Sequence, residues 1–179
     1  VLGVSWGGMV ALRAVQAIPE RIGALVLVVP AGIAQASAWT GLTRAALPMV
    51  LYRAFPTEKR LRAMVGHHFT VIDEEWMHYL GDAMRHGKLD FRVPKNVTPK
   101  DLEQFTGPVL VFGADDDVHF PGQQIVAKAP SLFRNLVRAE LLEGCRHSPP
   151  FDDAFRVPFC RKIEAFLDEH AASDRSARA

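Results

Sequence analysis

The chain has 179 residues, 49% apolar and 23% charged, with 21 Lys and Arg against 20 Asp and Glu for a formal net charge of +1. That is enough apolar residue for one sizeable core, and too even a charge for a surface that binds nucleic acid or an anionic membrane. Cys145 and Cys160 lack metal-ligand spacing and make no disulfide framework, so they read as free thiols of a reducing, cytoplasmic compartment; no apolar run reaches the roughly 18 residues of a membrane span.

The first residues carry the strongest signal. Val1-Leu2 leads into Gly3-Val4-Ser5-Trp6-Gly7-Gly8, followed by the apolar run Met9-Val10-Ala11-Leu12. A strand, a G-x-S-x-G turn and a helix make the pattern of a nucleophile elbow. A serine at such a turn is held in a strained backbone conformation with its hydroxyl above the sheet edge. Gly3 and Gly7 are expected to keep Cβ atoms out of the tight strand–helix crossing, and Gly8 to bring the helix close to its strand. The helix N-terminus aims N–H groups at the reacting centre, with the Trp6 N–H as an oxyanion donor and the Trp6 ring as a pocket wall. The first residue is Val rather than Met. The expectation is the C-terminal part of a catalytic domain that begins near its elbow, and an isolated piece with little or no activity.

Met9 to Ile18 reads as a helix ended by Pro19. Ala24–Val29 is a continuous β-prone run, apolar on both faces, and suits a central parallel strand. From Ile33 to Thr106 the apolar spacing turns helical and irregular. Thr57 caps a helix ending near Gly66. Asp73 caps a second, with Trp76, Met77, Leu80, Ala83 and Met84 on one face and Gly87 as its stop. Thr98-Pro99 starts a third, through Phe105. Pro108–Phe112 is another buried strand, Gln123–Ala129 a helix, Leu136–Leu142 a last strand and Phe151–Glu169 a last helix. The predicted organisation is a core over 1–32, a helical cap or lid over 33–106, a second core segment over 107–170 and a disordered tail over 171–179. Alternating β and α argue a mostly parallel sheet with helices on both faces, the α/β class.

A serine nucleophile needs a base within reach and an acid to orient that base. No carboxylate lies between Glu20 and Glu58, so the acid does not follow the second strand. Asp115, Asp116 and Asp117 follow the third strand, and Gly144-Cys145-Arg146-His147 follows the last. His147 is the histidine placed at a late strand end. The order is therefore Ser, Asp cluster, His.

In these stretches, Gly3–Gly8, Pro108–Pro121 and Gly144–His147, the chain resembles the α/β-hydrolases of the esterase/lipase-like family with a helical cap. The resemblance runs from Val1 to about His170. That family commonly places a proline nine residues before its acid and another four after it, and Pro108 and Pro121 both point to Asp117. It also tends to place a glycine three residues before the acid, where this chain has Ala114; counting from Gly113 would choose Asp116, which stands in reserve. The resemblance implies that Ser5 attacks a carbonyl carbon, His147 takes and returns the proton, Asp117 orients the imidazole, and the Trp6 N–H holds the oxyanion. A second oxyanion donor normally comes from a loop that this sequence does not contain.

Other residues read more plainly. His67-His68 has no evident third ligand, so no metal or other cofactor is expected. His119 is expected to be structural or at a pocket mouth, and His78 and His86 solvated. Tyr52, Phe55, Trp39, Trp76 and Met77 are expected to pack within the insert. The implied function is a serine hydrolase acting on an ester, a related acyl group or a C–C bond of a small apolar substrate. An acyltransferase, or a non-catalytic binder of small ligands, is the alternative. The sequence is silent on oligomeric state.

Overall fold

Two apolar runs form the centre of a parallel sheet, as their lack of a polar face requires. The computed structural model describes residues 1–88 and 95–171. Strands β1 (Leu2–Val4), β2 (Leu25–Val28), β3 (Val109–Ala114) and β4 (Leu136–Leu142) lie in the order β1-β2-β3-β4. All three pairings are parallel, with Gly3 opposite Leu27, Leu27 opposite Val111 and Val111 opposite Ala139.

The two-residue period of the strands divides the core. Leu25, Leu27, Val109 and Val111 face one side, where helices α1 (Trp6–Ala17) and α6 (Gly122–Leu132) bring Leu12, Val15, Ile125 and Ala129 against them. Val26, Val28, Leu110 and Phe112 face the other, where α7 (Asp153–Ala171) supplies Ile163 and Phe166. Each leucine, valine, isoleucine or phenylalanine among these, fully buried, stabilises the fold by about 1.5–3 kcal/mol against an exposed one. β1 pairs with β2 alone among the described residues, and Leu2 and Val4 on its face are each 49% exposed.

Between β2 and β3 the chain is helical. Short α2 (Ala38–Thr40) runs through a π-helical stretch, Gly41–Ala46, into α3 (Leu47–Ala54). Then come α4 (Glu58–Val65), capped by the Thr57 side chain, and α5 (Glu74–His86), capped by Asp73. Tyr52, Leu61, Met64, Val65, Phe69 and Met77 form a separate apolar cluster here. Ile33 and Ala34 at one end of the segment, and Val97, Leu102 and Phe105 at the other, pack into the sheet core instead. Met77 is buried as expected, whereas Trp76 is 53% exposed and meets the Tyr79 ring edge-on. The buried stripe of α5 runs Met77, Gly81, Met84, and position 76 lies to its side. The helix expected from Thr98 is one 3₁₀ turn, Pro99–Leu102, closed by a capping box between Thr98 and Asp101. The tail expected to be disordered lies outside the described residues, apart from Ala171 at the end of α7.

Candidate active site

The loops that leave the carboxyl ends of β1, β3 and β4 converge, as loops do at the functional edge of open parallel sheets. Ser5 ends β1 with φ 53° and ψ −119°, a sparsely populated conformation for a residue with a Cβ. Its N–H donates to Val28 O, and its carbonyl accepts from Gly8 N–H and Ala31 N–H, each at 2.9 Å. A Cβ on Gly3 would sit 2.5 Å from Gly7 O and 2.8 Å from Gly8 Cα, so glycine is required there. A Cβ on Gly8 would sit 2.6 Å from Pro30 Cβ, so this glycine admits the turn after β2 rather than β1 itself. Gly7 departs from expectation. A Cβ there meets nothing within 4 Å, because the position faces open space and the crossing is closed by Gly3 and Gly8.

Val29 is a participant that the sequence does not mark. It is buried, β-branched and precedes a proline, yet has φ 42°. Its N–H still donates to Phe112 O at 2.8 Å, and the turn that follows carries Ala31 to the Ser5 carbonyl. Within its run it reads as one more strand residue.

The three aspartates after β3 go three ways. Asp115 Oδ2 accepts from Gly144 N–H at 3.0 Å and steadies the turn where Gly144 has φ 67°. Asp116 turns toward two guanidiniums, Arg44 at 2.8 Å from the insert and Arg146 at 3.3 Å from the loop after β4. Burial alone would raise the Asp116 pKa, but these two arginines outweigh it and hold the carboxyl below its usual range. The side chain of Asp117 has no solvent exposure. Its Oδ1 accepts from the N–H groups of His119, at 2.8 Å, and Phe120, at 3.0 Å. Its Oδ2 lies 2.7 Å from His147 Nδ1, and on the other side of that ring Nε2 lies 2.8 Å from Ser5 Oγ.

Three rings line this array. His119 and Phe120 each meet the His147 ring edge-on, at 5.3 Å and 5.5 Å between ring centres. His68, from the insert, stacks on His119 at 4.8 Å, with His119 Nε2 and His68 Nδ1 2.9 Å apart. Burial drives the His68 pKa down to about 3, and burial followed by the charge of His147 lowers that of His119. The two imidazoles are therefore neutral near pH 7, one donating to the other. Among the described residues, no group of three or more His, Cys, Asp or Glu side chains is arranged to hold a metal ion. Nor is any described helix long and apolar enough to cross a membrane.

This geometry can be set beside known proteins. A model of the alpha/beta hydrolase family matches residues 1–157. The chain belongs to the alpha/beta hydrolase family. No protein of curated function matches the sequence. Solved structures share the fold. Naproxen esterase (carboxylesterase NP) from Bacillus subtilis has a TM-score of 0.68 at 15% identity, over 93% of this chain and 58% of that one. The esterase RhEst1 from Rhodococcus sp. ECU1013 has 0.65 at 18%, over 94% and 64%. The meta-cleavage product hydrolase CumD from Pseudomonas fluorescens IP01 has 0.67 at 14%, over 94% and 64%. The chain thus spans less than two thirds of the length of each of these proteins.

What this alpha/beta hydrolase chain can do chemically follows from donors and acceptors. An ionised carboxylate only accepts, so Asp117 places the ring hydrogen of His147 on Nδ1. Nε2 then carries a lone pair facing the Ser5 hydroxyl. An array of this kind can take a proton from an attacking oxygen and stabilise the imidazolium that results.

Proposed function

We propose that the protein is a serine hydrolase in which Ser5, His147 and Asp117 act as a catalytic triad on an ester or related acyl bond of a small apolar substrate. The observation that carries this reading is the unbroken line of short contacts, 2.8 Å from Ser5 Oγ to His147 Nε2 and 2.7 Å from His147 Nδ1 to Asp117 Oδ2. Ser5 Oγ attacks the carbonyl carbon while its proton passes to Nε2. The Nδ1–H stays with Asp117, whose buried negative charge stabilises the imidazolium. The oxyanion forms beside the N-terminus of α1, where the Trp6 N–H donates to it. Collapse of the tetrahedral adduct returns the proton to the leaving oxygen, and water then releases the acyl group by the same sequence in reverse roles.

The choice of an ester follows the naproxen esterase and RhEst1, whose names give that activity. A C–C bond is the variant that CumD suggests. The helices between β2 and β3 are read as a cap whose side chains bound the substrate pocket. Two free cysteines, Cys145 and Cys160, favour a reducing, cytoplasmic setting. The test, run on the full-length protein, is turnover of p-nitrophenyl esters of increasing acyl length by wild type and by Ser5→Ala. Turnover that vanishes with the hydroxyl supports the reading, and equal turnover in both overturns it.

A further inference from the structure

The loop that carries His147 has little structure of its own. β4 ends at Leu142, α7 begins at Asp153, and Gly144 between them adopts φ 67°. The imidazole must nevertheless sit within hydrogen-bond reach of two groups at once. Its support comes from the insert between α4 and α5. Phe69 forms a parallel bridge with Ser148. Ser148 N–H donates to His68 O at 2.8 Å, and Thr70 N–H donates to Ser148 O at 3.0 Å. The Thr70 hydroxyl completes the arrangement. It accepts from Arg146 N–H at 2.9 Å and donates to Ser148 O at 2.9 Å.

One side chain therefore binds both peptide neighbours of His147. A hydroxyl can do so because it donates and accepts at one atom. The Arg146 side chain adds bonds to the carbonyls of Gly66 and Phe69.

We infer that Thr70 is a positioning residue for His147, its hydroxyl fixing the loop on either side of the imidazole so that both ring nitrogens keep their partners. The inference rests on the triad reading above. The Thr70 hydroxyl bonds to the loop around His147 and not to Ser5, so its effect is expected on the chemical step rather than on binding. A shift of the ring by up to an ångström costs up to about 100-fold in rate.

The experiment compares Thr70→Val, which keeps shape and loses the hydroxyl, with Thr70→Ser, which keeps the hydroxyl. Two readouts are taken on the full-length protein: kcat and KM for a p-nitrophenyl ester, and the far-downfield proton resonance of the His147 Nδ1–H, assigned by its loss in His147→Ala. Thr70→Val should lower kcat about 10- to 100-fold with KM little changed, and should shift or broaden the resonance. Thr70→Ser should restore both. Should Thr70→Val melt below the assay temperature, Thr70→Ala removes the same hydroxyl and is read in the same way. An unchanged kcat and resonance without the hydroxyl overturns the inference, as does an equal loss in Thr70→Ser, which would assign the effect to the methyl group. A wild-type protein that shows the resonance but no turnover overturns the hydrolase reading instead, and the resonance still decides the role of Thr70.

Discussion

Ser5 Oγ and His147 Nε2 lie 2.8 Å apart although 142 residues separate them in the chain. A parallel sheet makes this possible, because it brings every strand's carboxyl end to one edge. The serine leaves β1 at one side of the sheet and the histidine leaves β4 at the other. The space between them is closed by the turn after β2 and the aspartate loop after β3.

The two adjacent aspartates separate by experiment. Asp117→Asn leaves the geometry in place but no longer dictates the imidazole tautomer, and kcat should fall by about 10⁴. Asp116→Asn removes a partly exposed partner of Arg44 and Arg146. It should cost about 0.2–1 kcal/mol per ion pair in stability and leave kcat within about tenfold. Ester turnover and thermal melts of the two variants give both values. The opposite pattern would make Asp116 the acid.

The elbow should respond unequally to added methyl groups. Gly3→Ala and Gly8→Ala each place a Cβ within 2.6 Å of a heavy atom. Each should destabilise by about 1–3 kcal/mol, the usual cost of overpacking, and displace Ser5 with loss of turnover. Gly7→Ala meets nothing within 4 Å and should fold as well as wild type. Chemical denaturation of the three variants checks the order.

The buried imidazoles predict how stability depends on pH. Burial first, then His119, His147 and His67, lower the His68 pKa to about 3, with Asp117 opposing them. An unfolded chain takes up that proton near pH 6.5. The unfolded state therefore binds more protons across this window. Stability is fully present above about pH 6.5 and falls as pH falls toward 3. Asp116, held below its usual value, acts only below about pH 4, so the range from about 4.5 to 6.5 reports mainly on the histidines. Urea titrations across that range should show a positive slope. His68→Phe should reduce the slope by at most one proton's worth, about 1.4 kcal/mol per pH unit. An unchanged slope would mean that His68 is charged in the folded protein.

Much of this arrangement is local and so could be read from the chain. Gly3, Ser5 and Gly8 fall within one turn. Ala24–Val29 and Pro108–Phe112 announce buried strands because neither has a polar face. Counting from Pro108 and Pro121 points to Asp117, whose carboxyl is the one bonded to His147. What the sequence hid depends on distant partners. Nothing near Thr70 says that it will meet Arg146, 76 positions later, and nothing near His68 announces His119. The bridge from Arg44 through Asp116 to Arg146 needs one helical segment and two loops in place before it exists. Val29 hid for another reason. Its left-handed backbone contradicts both its β-branch and the proline after it, and the bond from its N–H to Phe112 O together with its burial in the core accompany that conformation. At Gly7 the motif suggested a steric demand that the open space around that residue does not impose.

The central proposal is that the Ser5 hydroxyl is activated by His147. Labelling with a fluorophosphonate, followed by peptide mass spectrometry, measures this directly. The account predicts a single adduct on Ser5, formed in the wild-type protein and slowed by orders of magnitude in a folded His147→Ala variant. An adduct on another serine, or labelling of Ser5 at the same rate without His147, would contradict it.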